Sequence, residues 1–477
     1  MRYDAFLGGS YQAQAPTADV ARTVNLYPEN LQDQGATARK VLLPTPGVTA
    51  ITTAVTGAGR AHFAMASREF YIIGNTLYEI DSTDVVTTHG TVAVDTNPAT
   101  ISSNGDAGNQ LFITSGGNGY NFDLGTDTLT QIAALNGKAT QGGYLDGYFI
   151  ALDANTATIY ISNLLDGTTW DTGTDFAQRS LAPDPWKAMQ VVGRYVWLFG
   201  EYTTEIWQDT GARFPLAPFP GVLLNNGIAA PFSASIVGSD LVWLAQSRSG
   251  KVSVQRASGV APQTISTYPL ENQISGYVNF SMAISDSYSE AGHTFYMLNF
   301  DRAGITHAWD AETNEWCDRG TWDPDQRDYV AWRPRFYAFA QGEHRILDSS
   351  GGILYRMGAD LTTDVDGLAI RRLRRAPAIE SENKRIVYPY FELDLERGLG
   401  TSGQAEDPQV MLRISNDGGK TWGAEQWRSA GKTGEYSARV KWNRCGQGRR
   451  RVWEVAMTDP IAWKITGAYT EPAVEAA

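Results

Sequence analysis

Two cysteines in 477 residues, Cys317 and Cys445, give no disulfide framework. They lie far apart and in different expected domains, so synthesis in a reducing cytoplasm is the simpler reading. Histidine is nearly as scarce. His62, His89, His293, His307 and His344 are scattered, with no i,i+4 pair and no Cys-x-x-Cys beside them. That excludes the usual zinc and haem signatures, and no metal or cofactor is expected. No run of 18 apolar residues exists, so neither a transmembrane helix nor membrane insertion is expected. The stretch from Met1 to Phe6 lacks the apolar core of a secretion signal. Phosphate loop, G-x-S-x-G elbow and dinucleotide fingerprint are all missing. Long Leu/Glu/Lys stretches are few, whereas 48 glycines and 11% aromatics favour an all-β protein rich in turns.

Positive charge is short overall and unevenly placed. The net charge is −13. Residues 370–477 hold 18 Lys/Arg against 14 Asp/Glu, a balance of +4. The remaining 21 Lys/Arg and 38 Asp/Glu give residues 1–369 a balance of −17. A general nucleic-acid binder needs a basic footprint, and this chain has the opposite over three quarters of its length.

What is present is repetition. From Phe63 onward a unit recurs: a short apolar strand, a tight polar turn, then a second strand ending near Asp or Asn. Phe70–Ile73 with Leu77–Ile80 is the first copy and Leu111–Thr114 with Tyr120–Asp123 the second. Tyr148–Ala151 with Thr158–Ser162, Tyr195–Phe199 with Glu205–Trp207, and Leu241–Leu244 with Lys251–Val254 follow. Thr294–Leu298 with Thr306–Asp310, then Tyr337–Phe339 with Gly352–Tyr355, complete the series. With Phe70, Phe112, Phe149, Trp197, Trp243, Phe295 and Tyr337 as phase markers, the steps are 42, 37, 48, 46, 52 and 42 residues. Propeller blades repeat every 40–50 residues or so. The expectation is a β-propeller of seven blades, six being the alternative count, over residues 51–369; a sandwich of many hairpins competes with it.

Residues 1–50 carry few periodic signals and read as an extended segment packed on the propeller, with helix weakly favoured only near Ala18 to Thr23. Around residue 370 the character changes. Ile370-Arg371-Arg372-Leu373-Arg374-Arg375-Ala376-Pro377 is basic and ends in proline, marking a domain junction. Residues 370–477 then read as a C-terminal antiparallel β-sandwich of five or six strands. Phe391, Leu393 and Leu395 alternate with acidic residues, as do Val410, Leu412 and Ile414 with Met411 and Arg413. Tyr436 to Trp442, the turn at Cys445 to Gly448 and Trp453 to Met457 read as a second strand pair.

Between the sandwich strands, Ser415-Asn416-Asp417-Gly418-Gly419-Lys420-Thr421-Trp422 fits the Asp-box pattern S-x-D-x-G-x-T-W. Ser415, Asp417, Gly419, Thr421 and Trp422 are expected to build a tight structural hairpin, Asp417 accepting backbone N–H bonds across the turn. The same box recurs in sialidases and other propeller glycosidases, remote from their catalytic pockets. A site of that kind needs convergent arginines, a Tyr nucleophile and an acid carboxylate. Arg213, Arg248, Arg302 and Arg335 lie in the right region but carry no flanking motif, so no catalytic residue is assigned and no enzyme is expected. Arg371, Arg372, Arg374 and Arg375 form a candidate intersubunit or DNA-facing cluster, a solvated or intersubunit salt-bridged face being favoured over DNA contact.

Several segments resemble one phage family, the packaged-DNA stabilisation proteins or tail hubs (nozzles, tail accessory factors) of short-tailed, podovirus-like bacteriophages. Ser10-Tyr11 followed by Asn25-Leu26-Tyr27-Pro28-Glu29 resembles the opening signature, and Thr45-Pro46-Gly47-Val48 the T-P-G-[LV] after it. Glu392 to Gly400, the Asp-box with Gly423, and Gly434-Glu435-Tyr436 leading to Arg439-Val440-Lys441-Trp442 resemble the C-terminal block. Arg397-Gly398-Leu399-Gly400 departs from the Thr-Gly-Val-Gly expected there. The resemblance implies a virion tail protein, assembled in the host cytoplasm, forming a homohexameric ring below the portal and its adaptor. Such a ring completes the head, retains packaged double-stranded DNA that passes with weak, non-specific contact, and supports a tail needle or tail fibres and spikes until genome ejection. The alternative is a sialidase-like propeller glycosidase acting on host surface polysaccharide.

Overall fold

In a computed structural model, residues 1–33, 38–65, 67–105, 108–178, 181–400 and 405–474 are described. The far end of the expected sandwich, residues 475–477, lies outside these, as do residues 401–404 within it. The repeat legible in the sequence becomes seven consecutive antiparallel meanders. The first is Gly59–Met65, Arg68–Ile73, Thr76–Ile80 and Val86–Thr91; the sixth is Ile284–Glu290, His293–Phe300, Ile305–Asp310 and Glu315–Asp323. The first strands of successive meanders lie side by side, and the seventh returns to the first, so the sheets close a ring. Ala188, Trp197, Leu241 and Trp243 make the join between the fourth and fifth. The architecture is a propeller.

The second strand of each sheet is covered on both faces by its neighbours, which is why these strands read as unbroken apolar runs rather than alternating ones. Phe70, Phe112, Phe149, Trp197, Trp243 and Phe295 are all buried. Burial of each such side chain stabilises by roughly 1.5–3 kcal/mol. The recurrent acidic residue after the third strand folds the next turn. Asp81 accepts from the backbone of Thr83 and Val85, Asp123 from Gly125 and Thr126, and Asp209 from Gly211 at 2.7 Å.

The seventh sheet departs from the sequence reading. Its strands are Pro334–Ala340, Glu343–Asp348 and Leu354–Gly358. Tyr337 therefore sits on the first strand and not the second, and Arg345 occupies the position equivalent to Phe70. The strand skipped in the sequence, His344 to Asp348, is interrupted by charge, so its apolar signal is weak. The fourth strand comes from the far side of the chain: Gly47–Ala50 pairs antiparallel with Leu354–Gly358 and closes the ring.

The first fifty residues do pack against the propeller, Ser10 N–H donating to the Trp316 carbonyl at 2.6 Å, but they are built into its neighbouring sheets rather than laid over its surface. Val20–Val24 pairs with Arg372–Arg375, and Leu26–Asn30 with Lys40–Pro44 joins Ile465–Thr470, so these strands complete the sandwich. The stretch read as weakly helical is thus strand, because its β-branched Val20, Thr23 and Val24 fit a pleated, doubly covered position. One sandwich sheet orders Leu26–Asn30, Lys40–Pro44, Ile465–Thr470, Tyr390–Leu395 and Val440–Asn443. The other orders Val20–Val24, Arg372–Arg375, Val452–Met457, Gln409–Ser415 and Gln426–Ser429, and runs into the sixth propeller sheet where Val24 pairs parallel with Asp318. Phe391 stacks on Trp453 between the two sheets with ring centroids 4.5 Å apart. The expected second strand pair is an arch instead: Val440–Asn443 and Val452–Met457 lie in opposite sheets. Among the described residues the one α-helix is Tyr268–Gly276, between the fifth and sixth propeller sheets. Thr267 precedes it, with Pro269 and Glu271 in its first turn.

Candidate functional site

The four arginines at the junction form a seam, Arg371, Arg372 and Arg374 buried and Arg375 half-buried. Arg372–Arg375 is an interior strand, flanked by Val20–Val24 on one side and Val452–Met457 on the other. A central strand in a covered sheet has no solvated face, so the candidate intersubunit or DNA-facing cluster is corrected to an interdomain lock. Arg374 donates to the carbonyls of Phe6 at 2.5 Å, Gly9 at 2.8 Å and Ala5 at 3.1 Å, and to Thr23 Oγ1 at 2.8 Å. Burial pulls its pKa down to about 10. Arg371 reaches Glu425 at 3.2 Å and lies 4.5 Å from the Trp322 ring centroid, tying sandwich to propeller. Arg375 donates to Glu454 at 2.8 Å, and Arg413 donates to the other oxygen of the same carboxylate at 2.8 Å. Arg372 is 1% exposed, and its Nε and one Nη find no hydrogen-bond partner among the described residues.

The Asp-box is a ten-residue loop, 416–425, between Gln409–Ser415 and Gln426–Ser429 rather than a tight hairpin. Its internal bonding is as the residue types require. Asp417 accepts from the backbone of Lys420 at 2.9 Å and Thr421 at 3.0 Å, and from the hydroxyls of Thr421 at 2.6 Å and Ser415 at 2.7 Å. The Thr421 hydroxyl leads these bonds in holding the Asp417 carboxyl well below the usual carboxylate range. Gly419, at φ +91°, donates to Ser415 Oγ at 2.9 Å. Trp422 does not fold back on a hairpin. It covers Arg375 at 4.8 Å and Arg413 at 5.5 Å, so the box ends in the same arginine seam.

The histidines are structural. His62 lies 2.8 Å from Glu69, His89 2.6 Å from Glu79, His293 2.9 Å from Asp310 and His307 2.9 Å from Asp318. His344 lies 2.8 Å from the Tyr337 hydroxyl. The hydrogen bond to Asp310 raises the pKa of His293. Among the described residues no three His, Cys, Asp or Glu side chains form a metal-ligand cluster, and no helix is long and apolar enough to cross a membrane.

The propeller axis holds two cavities. One, of about 470 Å³, is lined by Phe63, Ile101, Tyr144, Val191 and Phe336 among others, and by no charged residue. The other, of about 440 Å³, opens at the opposite end, where Asp95, Lys187, Asp301 and Arg302 reach its rim. Gln141, Pro231 and Phe232 line both and form the floor between them. Gln141 donates to the Pro231 carbonyl at 2.9 Å and accepts from the Met189 backbone at 2.6 Å, which fixes that floor. Both rim carboxylates are engaged as acceptors, Asp301 by Arg335 and Asp95 by the backbone of Thr96 and Asn97. The arginines available for a sialidase-type site do not converge. Arg335 is buried against Asp301, and Arg213, in a turn after a third strand, lies at the opposite end of the ring from Arg248 and Arg302.

Residues 9–362 match the family model described as bacteriophage P22 Gp10, beta-propeller, and residues 371–471 match bacteriophage P22 Gp10, beta-sandwich. The chain belongs to the bacteriophage P22 Gp10 family. It is a structural protein of a phage virion, of the packaged-DNA stabilisation and head-completion type, and associates with other virion proteins. The two family modules meet at the arginine seam, between residues 362 and 371. No curated protein matches the chain. Among solved structures it is similar to the N-terminal domain of Nup159, at 10% identity and TM-score 0.41 over 71% of this chain and 99% of that one. A streptogramin B lyase is similar at 8% identity and TM-score 0.42, covering 66% and 98%. BamB from Moraxella catarrhalis is similar at 11% identity and TM-score 0.39, covering 70% and 97%. Likeness at this level says nothing about what the chain does.

Proposed function

We propose that this family member acts as a tail hub or nozzle: a homohexameric ring below the portal and adaptor that retains packaged DNA and carries a tail needle, fibres or spikes. Its seven meanders are read as the seven blades of one propeller, and the protein as a scaffold rather than an enzyme. The observation that carries the reading is the seam. One sheet runs from the sixth propeller meander through the sandwich, and Arg374 pins the N-terminal loop into it, so the two modules form a stiff body suited to bearing load. The propeller axis supports no route for DNA, since a floored cavity of about 470 Å³ holds a side chain or two and not a duplex. DNA then passes between copies, along surfaces whose −17 balance over residues 1–369 keeps phosphate from sticking. Assembly in the host cytoplasm and residence in the virion tail follow from this role.

Electron cryomicroscopy of purified particles tests it. Six copies arranged around the tail axis below the portal are expected. Particles with no density for this chain at that level, or with another stoichiometry, would reject the hub reading.

A further inference from the structure

The uncharged cavity lies toward one particular end of the propeller. In each meander the first-to-second and third-to-fourth turns share an end, and the second-to-third turns and inter-sheet connections share the other. Phe63, Ser103, Tyr144 and Val191 fall on the halves of their first strands that lead to the former end, so the cavity is a funnel facing it. Its wall takes large side chains from separate sheets, Phe63, Ile101, Tyr144, Val191 and Phe336. Phe339 and Ile236 continue this apolar surface outward, 59% and 40% exposed, at a cost in hydration that a lone monomer gains nothing from. Ser102 also lines the funnel, and its hydroxyl makes no hydrogen bond.

Around this neutral centre the same end carries the acidic turns. Asp81, Asp84, Asp123, Asp127, Asp146 and Asp166 all lie there. The arginines of that end are largely neutralised: Arg68 pairs with Glu79 and Asp127, Arg256 with Asp240, and Arg356 with Asp360. Arg345 is neutralised by Glu69, Asp84 and Glu343, which leaves Arg194 and Arg213, both in the fourth meander. An uncharged hole beside an arc of carboxylates from the first three sheets repels DNA and acidic chains. It attracts a cationic segment, steering it by charge and holding it by burial of an apolar anchor. The volume lies in the range of sites that take a few side chains, roughly 300–1,000 Å³. Thr100, Ser102, Ser103, Gln141, Gln190 and Ser285 line it as well, so the wall offers hydrogen-bonding groups beside its aromatic ones.

We infer that this funnel is the docking site for a segment of another virion protein, one that presents a large apolar side chain flanked by lysines or arginines. The inference rests on the reading of the chain as a virion component. It names a contact that the ring architecture alone does not supply.

The test uses full-length protein assembled into particles, with the photo-crosslinker p-benzoylphenylalanine in place of Tyr144. Mass spectrometry first establishes that the chain is in the particle; its absence there would sink the virion reading and this proposal with it, whereas a crosslinking failure in particles that contain the chain sinks this proposal alone. After irradiation, crosslinks to a single other virion protein are expected, at an apolar residue with Lys or Arg on both sides. Asp175 precedes the fourth strand of the third sheet, Phe176–Gln178, at the same end. The variant Asp146→Asn with Asp175→Asn, which leaves the funnel wall intact, should lower the yield about threefold, as loss of charge complementarity slows association. Crosslinks to DNA, to a second copy of this chain or to a segment without bases would each overturn the proposal. So would the absence of crosslinks in particles that contain the chain.

Discussion

Glu69 and Arg345 meet across the seam where the propeller ring closes, the guanidinium donating to the carboxylate at 2.9 Å with both side chains buried. The other carboxylate oxygen of Glu69 lies 2.8 Å from His62. Toward the following sheet, the first, second, fourth and sixth sheets present the aromatics Phe70, Phe112, Trp197 and Phe295 where the seventh presents Arg345. The opposite flank of the seventh sheet is ionic too, through Arg335 with Asp301 and the buried carboxylate of Asp286. An ion pair is directional where an aromatic contact is not. It specifies how the last sheet meets the first, at the place where the closing strand Gly47–Ala50 arrives from the sandwich.

Glu69→Gln should therefore destabilise the propeller more than a surface substitution does. Breaking one side of a buried pair costs up to about 3–5 kcal/mol. Asp84 and Glu343 remain near Arg345 and soften the loss. Chemical denaturation of the variant against wild type measures it; an unchanged midpoint would mean that the seam holds without the pair.

Arg374→Met removes the donor that four backbone and hydroxyl oxygens share. Leaving buried acceptors unpaired costs about 1–3 kcal/mol each. Residues 3–12 should then exchange amide hydrogens markedly faster while the propeller remains protected. Charge reversal at Arg372 and Arg374, which would merely loosen a ring if the cluster lay between subunits, should instead stop the chain from folding. Soluble, monomeric double mutant with native circular dichroism would contradict this.

The Asp-box should add an acid sensitivity of definite sign. Asp417 is held below its ordinary range, chiefly by the Thr421 hydroxyl. Its contribution is complete above the unfolded value of about 3.9 and fades as pH falls toward the folded value. Asp417→Asn should thus be less stable than wild type at pH 7, and the gap should narrow on acidification below about pH 4. Thermal melts of both proteins across that range decide the matter; a constant gap would rule out linkage through this carboxyl.

Asp286 should behave in the opposite sense. Burial pushes its pKa up to about 6, against the backbone N–H bonds from Tyr337 and Ser287 that favour the anion. Its stabilising contribution is present below the unfolded value and is lost as pH rises through about 6. Carbon-13 detection of selectively labelled aspartate should show one carboxyl titrating near that value. A full set of midpoints below pH 4.5 or so would contradict it.

Isolated protein should bind duplex DNA weakly and without sequence preference. Neutralising six to ten phosphates makes binding fall about 10³–10⁵-fold between 50 and 200 mM salt, and the arginines that could have done so are spent inside the seam. Filter binding at physiological salt should detect little retention. Tight, selective binding would show that a basic surface forms elsewhere.

Local chemistry settled much of this protein in advance. Apolar runs and turn residues fixed six of the seven repeat phases, because a strand covered on both faces must be apolar whatever lies beside it. The Asp-box bonds were legible because they span seven residues and need no distant partner. The family resemblance rested on short segments at both ends, and both modules of that family are found where those segments lie. Other features depended on distant strands meeting. Nothing in Val20 to Val24 says that its partners are Arg372 to Arg375, so the first fifty residues could not be assigned to the sandwich, nor the basic run to the interior. Alternation showed that Arg372 and Arg374 share a face; only the neighbouring strands decided that the face is buried. The seventh sheet was misphased for the same reason. Arg345 looks like a surface residue until Glu69, 276 positions away, arrives to neutralise it.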